Sequence, residues 1–196
     1  MVLAPERCCR EDAACRPPVP GYHAAMPRAS EPAATMPATA VIMPIPPGLQ
    51  AIGTRHRPFE PVLPLEELPV GAMRRVTRGD LDVLLAYTSG GLVAVDDRCP
   101  HMAAPLSLGE LMDCVVGCPL HSGRFDLASG GVVQFPTTGG LDADGDYHPT
   151  WSPPDREARP EPTDLKARAR AATRIRRLRY YPLRIRDGSI ELAWPA

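Results

Sequence analysis

The sequence contains no run of about 20 apolar residues, the length needed to span a bilayer. Its most apolar early segment, Ala40 to Ile45, is followed by Pro46 and Pro47, which spoil a spanning helix. A soluble protein without a membrane partner is therefore expected. The N-terminus also lacks a clean apolar core followed by small residues and lacks a twin-arginine pair, so nothing supports export and the cytoplasm is the expected compartment. Net charge is nearly absent: 22 Lys and Arg stand against 23 Asp and Glu, a formal charge of -1, which argues against a general nucleic-acid binder. With 196 residues there is no room for a second large catalytic domain beside one of typical size, about 100–150 residues.

Six cysteines could form a disulfide framework, but Cys8, Cys9 and Cys15 stand in an unpatterned tail while two others have the spacing of metal ligands. Disulfides are the weaker reading. Residues 1 to about 56 hold ten of the 25 prolines, many alanines and no helical or strand period. Such a segment cannot bury enough apolar surface to offset its ordering entropy, and a disordered Pro/Ala-rich tail over 1–56 is expected.

From Val62 the chain turns to short apolar runs cut by glycines. Ala72 to Thr77 and Leu81 to Tyr87 flank Arg78-Gly79-Asp80, and Leu92 to Val95 follows Ser89-Gly90-Gly91, the spacing of a β-meander. Near the end, Leu183-Arg184-Ile185-Arg186 and Ser189-Ile190-Glu191-Leu192 flank Asp187-Gly188, a two-residue hairpin signal with period-two alternation on both arms. The body, 57–196, is thus expected to be all-β and antiparallel.

An acidic then basic insert interrupts it at about 142–176. Asp142 to Asp164 carries seven acids, two arginines and five prolines and reads as a surface loop. Its Asp142-Ala143-Asp144-Gly145-Asp146 resembles half of a calcium loop, but the later bidentate glutamate is missing, and a solvated loop is favoured. Lys166 to Arg186 then has nine basic residues and no acid, part of it a short helix around Ala167 to Ala172. Arg174, Arg176, Arg177 and Arg179 form either a solvated face or a docking surface for an acidic partner.

The most informative segment is Cys99-Pro100-His101, then sixteen residues, then Cys118-Pro119-Leu120-His121. Each half offers one thiolate and one imidazole. Two such halves can give one iron two sulfurs and the other two nitrogens, the ligand set of a [2Fe–2S] centre of Rieske type, with Cys99 and Cys118 on the buried iron and His101 and His121 on the outer one. Two Cys and two His also suit tetrahedral zinc, the competing reading, although zinc spacing usually pairs Cys with Cys and His with His.

At these residues the sequence resembles the Rieske ferredoxin family. Pro64-Leu65-Glu66-Glu67-Leu68-Pro69, Val93-Ala94-Val95-Asp96-Asp97-Arg98, Ala104-Pro105-Leu106-Ser107 and Ser122-Gly123-Arg124-Phe125-Asp126 carry the likeness beyond the four ligands. It covers about Val62 to Leu141 and resumes from about Arg177 to Leu192. The resemblance implies a Rieske-type β-sandwich of about three antiparallel sheets, with a small cluster-binding subdomain whose two loops pinch one [2Fe–2S] cluster. A third, proline-bearing loop should cover it, and Phe135-Pro136-Thr137 stands in the right place. It further implies a one-electron carrier between a flavin-containing reductase and a terminal oxygenase. High-potential members have a serine two positions and a tyrosine four positions after the second histidine; here these are Gly123 and Phe125, which implies a potential in the lower part of the Rieske range.

Three other classes compete with this one. A catalytic oxygenase subunit needs a further iron held by two histidines and a carboxylate, yet only His148 lies beyond His121, so the chain by itself is not expected to be an enzyme. A small subunit bound tightly to a larger oxidoreductase, such as a nitrite reductase or an oxidase, remains the alternative. Rieske subunits of membrane quinol-oxidising complexes carry an extra disulfide between the cluster loops, at positions where this chain has Ala104 and Leu120. Cys114 is out of place for that bridge and is expected as a buried or edge thiol.

Overall fold

Successive residues of a strand point to opposite faces, and in this chain that alternation separates two cores. The computed structural model describes residues 40–196 apart from 159, 161–162, 166–167 and 170–171. After β1 (Phe59–Pro64), the meander forms as β2 (Ala72–Arg78), β3 (Leu81–Thr88) and β4 (Gly91–Asp96), an antiparallel sheet in that order. Leu84 and Ala86 of β3 and Val93 and Val95 of β4 face one core. Val83, Leu85 and Tyr87, with Leu92 and Ala94, face the other. The meander is a wall with an apolar layer on each side.

The first layer belongs to the small subdomain that follows. There β5 (Glu110–Met112), β6 (Val115–Gly117), β7 (Arg124–Asp126) and β8 (Val132–Gln134) form a four-stranded antiparallel sheet, and Val116, Phe125 and Leu127 meet the meander in the core that also buries Cys99 and Cys118. A two-stranded ribbon, β9 (Gly140–Leu141) with β10 (Tyr147–His148), comes next. The second layer is closed by β11 (Leu183–Arg186) and β12 (Ser189–Ala193), which pair with β1 in the order β1-β12-β11. Asp187 and Gly188 both adopt positive φ, 50° and 74°, the signature of a type I′ hairpin turn. The antiparallel all-β architecture expected from the turn residues is the one observed.

Two expectations change. The tail boundary at 56 is too late: Met43, Ala51 and Thr54 are buried, and residues 40–56 pack on the body. Leu92 N–H donates to the Val41 carbonyl and Met43 N–H to the Leu92 carbonyl, both at 2.8 Å. Further along, Ala51 N–H donates to the Tyr180 carbonyl at 2.7 Å, and Tyr180 N–H to the Leu49 carbonyl at 2.9 Å. The order comes from partners more than a hundred residues away in sequence for Leu49 and Ala51, which no local period reports. The rest of the expected tail, 1–39, lies outside the described residues.

The basic run, expected as a solvated face or a docking surface, keeps its arginines outward and also packs on the body. Ile175, Leu178 and Tyr180 are 1–2% exposed while Arg174, Arg176, Arg177 and Arg179 are exposed, so the basic run is an extended segment with an apolar inner side. Tyr181 N–H donates to the Ala94 carbonyl and Asp96 N–H to the Arg179 carbonyl, seating that segment against β4. For the helix expected around Ala167 to Ala172, Arg168 N–H bonds the Asp164 carbonyl and Ala172 N–H the Arg168 carbonyl, four residues apart as in a helical turn. Residues 166–167 and 170–171 lie outside the described residues.

Candidate metal centre

Two loops leave the subdomain and turn in the same way. Cys99 N–H donates to the carbonyl of Ala104, five residues on, and Cys118 N–H to that of Gly123, also five on, each at 2.8 Å. The fourth residue after each cysteine, Ala103 and Ser122, has positive φ, 57° and 55°. The two loops thus share one backbone turn. It places His101 two residues, and His121 three residues, after its cysteine.

The first loop is anchored by Asp97, 1% exposed. Its carboxylate accepts from Arg75 Nε at 2.6 Å, from the Ser107 N–H at 2.6 Å and from Ser107 Oγ at 2.7 Å, tying both ends of the loop to β2. The second loop is held by Gln134 Nε2, which donates to the Ser122 carbonyl at 2.8 Å, and by Thr137 N–H, which donates to the His121 carbonyl at 2.8 Å. Gly109 is required by close approach: a Cβ there would stand 1.8 Å from the Gly117 carbonyl oxygen, next to Cys118. Pro136 reaches over the second loop, its Cγ 3.2 Å from where a Cβ on Gly123 would be. The proline-bearing loop thus lies where it was expected.

The four expected ligands meet in two pairs, thiol with thiol and imidazole with imidazole. Cys99 and Cys118 are 4% and 5% exposed and hydrogen-bonded thiol to thiol. That bond pushes Cys99 upward, aided by burial, and pulls Cys118 down into thiolate, which the Leu120 and His121 backbone also favours. The His101 and His121 rings lie 5.0 Å apart, centroid to centroid, at 78°. His101 is buried, and burial first, then the nearby His121 charge, lowers its pKa to about 4, so it stays neutral as ligation requires. Its Nε2 lies 3.2 Å from Thr138 Oγ1, which leaves Nδ1 as the nitrogen to offer a metal. His121 is half-buried.

This donor set fits a binuclear cluster better than a single ion. Two buried thiols and two imidazoles would supply two ligands to each iron of such a cluster. The supports Asp97, Thr138 and Gln134 carry no local signature in the sequence. Cys114, expected as a buried or edge thiol, is fully buried but disulfide-bonded. Its place in the turn between β5 and β6 carries no spacing signal for a bridge.

The fold and these loops define a Rieske-type iron–sulfur protein, and residues 59–144 match the family model of the Rieske [2Fe-2S] domain. Over 78 residues the chain is 42% identical to the 3-phenylpropionate/cinnamic acid dioxygenase ferredoxin subunit of Photorhabdus laumondii subsp. laumondii, covering 39% of this chain and 73% of that one. Over 74 residues it is 38% identical to the ferredoxin component of the naphthalene 1,2-dioxygenase system of Pseudomonas aeruginosa, covering 38% and 71%. Among solved structures, the Sphingomonas yanoikuyae B1 ferredoxin aligns with TM-score 0.46 at 18% identity, covering 70% of this chain and all of that one. The chain belongs to the Rieske-type ferredoxin family, and its cofactor is a [2Fe–2S] cluster. Among the described residues no helix is long and apolar enough to cross a membrane.

Proposed function

We propose that Cys99 and Cys118 hold one iron of the cluster, that His101 and His121 hold the other, and that the protein carries single electrons to a terminal oxygenase. The carrying observation is the pair of matching turns, with the two buried thiols hydrogen-bonded to each other and the two imidazole rings 5.0 Å apart. When bound, such a cluster accepts and releases one electron, at a potential raised by replacing two thiolates with neutral imidazoles. The protein's part is to keep the sulfur side dry while leaving His121 at the surface as the edge for exchange. The named relatives serve dioxygenase systems, and the electron source assigned here is a flavin-containing reductase.

The exposed arginines Arg174, Arg176, Arg177 and Arg179 are the surface we assign to an acidic partner. Arg177 also donates to the Ser129 carbonyl, which ties this surface to the turn after β7. The central test is composition and spectrum. Protein purified anaerobically should contain two irons and two labile sulfides per chain, and after reduction its EPR signal should have an average g below the free-electron value. Tightly bound zinc without iron would overturn the ligand assignment.

A further inference from the structure

Loop 135–138 touches both histidine-bearing loops. Thr137 N–H donates to the His121 carbonyl, Thr138 Oγ1 meets His101 Nε2, and buried Pro136 fills the space above Gly123. The same loop is gripped from the insert. Trp151 Nε1–H donates to the Phe135 carbonyl at 2.7 Å, and Trp151 backbone N–H to the Thr137 carbonyl at 3.2 Å. The His148 ring stacks on the Phe135 ring, centroids 3.5 Å apart and planes within 11°.

His148 is itself fixed. Its Nε2 lies 3.0 Å from Asp142 Oδ2, while Asp142 Oδ1 accepts from the backbone N–H groups of Asp144, Gly145 and Asp146. These contacts explain why Asp142-Ala143-Asp144-Gly145-Asp146 looks like a cation loop in sequence: its first carboxylate is spent on its own backbone and on His148. The junction is tight, since a Cβ on Gly139 would stand 2.5 Å from the His148 carbonyl oxygen.

We propose that residues 142–151 are a built-in brace which, through Trp151 and His148, holds loop 135–138 against the two histidine loops and makes Thr138 a positioning residue for the His101 ring. The proposal rests on His101 being a ligand. With Nδ1 stripped of its proton to bind metal, Nε2 carries the hydrogen, and Thr138 Oγ1 accepts it. An acceptor at that nitrogen orients the ring and makes the imidazole a stronger electron donor, which favours the oxidised state. Trp151 acts one step further out, by fixing the backbone carbonyls on either side of Pro136.

The test uses the full chain with its cluster, comparing Thr138→Val, Thr138→Ser and Trp151→Phe with the unchanged protein. Thr138→Val should raise the midpoint potential and shift the EPR g values, and Thr138→Ser should restore both. Trp151→Phe keeps an aromatic ring but loses the indole donor; it should move the potential in the same direction by less and speed iron loss to a chelator several-fold. Potentials, spectra and iron-loss rates identical to the unchanged protein in Thr138→Val and Trp151→Phe would overturn the brace. Failure of the unchanged protein to hold two irons and two sulfides would instead overturn the ligand reading beneath it.

Discussion

Phe125 shows how one side chain sets the working range of the site. It is fully buried, and its Cζ lies 3.4 Å from where a Cβ on Gly123 would stand. Neither position offers a hydroxyl, so two donors that would stabilise the extra negative charge of a reduced cluster are missing. Phe125→Tyr puts a hydroxyl at Cζ, the ring atom that faces Gly123. One charge-assisted bond of about 1.5–3 kcal/mol corresponds to a rise of roughly 60–130 mV for a one-electron couple. Protein-film voltammetry reads this directly, and an unmoved potential would mean that the hydroxyl does not reach a sulfur. The residues of the centre were legible because thiol and imidazole chemistry restricts the types and their spacing. Thr138 and Asp97 were not, because a hydroxyl or carboxylate that supports a loop has no preferred place in sequence.

The first cluster loop depends as an element on Asp97. Three bonds converge on its buried carboxylate, from Arg75, Ser107 N–H and Ser107 Oγ. Bonds to a charged group contribute about 1.5–3 kcal/mol each, and Arg75 is a third exposed, so water can take over part of its share. Asp97→Ala should therefore lower stability by about 2–4 kcal/mol, within the range for breaking a buried charged network. Urea unfolding should show a lower midpoint at unchanged slope, together with faster loss of iron. A midpoint within error of the unchanged protein would show that the loop does not need this anchor. The strands themselves were plain in the sequence: Asp187-Gly188 can take two positive φ values, and β3 and β4 alternate between two apolar layers. Residues 40–56 were illegible for the opposite reason, since Met43 and Ala51 are ordered by Leu92 and Tyr180 and by no pattern of their own.

At the scale of the whole molecule, a formal charge of -1 conceals a segment in which four exposed arginines lie within six residues, Arg174 to Arg179. Attraction between such a patch and an acidic partner is screened over about 8–10 Å at physiological ionic strength. Electron transfer to the partner oxygenase, followed by stopped flow, should fall steeply with salt, and replacing Arg174 and Arg176 with Gln should flatten that dependence. A rate indifferent to salt would return the patch to an ordinary solvated face. The same segment has a second consequence for the molecule's life in a crowded solution. Gly91-Leu92-Val93-Ala94-Val95 is the most apolar strand, and one of its edges is paired with β3. The other is sealed near Leu92 by Val41 to Met43 and near Ala94 by Arg179 to Tyr181. Open strand edges recruit other chains, so these two strips act as guards against fibrillar self-pairing, and proteolytic nicking between Ala40 and Gln50 would leave the iron chemistry's residues in place while turning the molecule into a seed for aggregation.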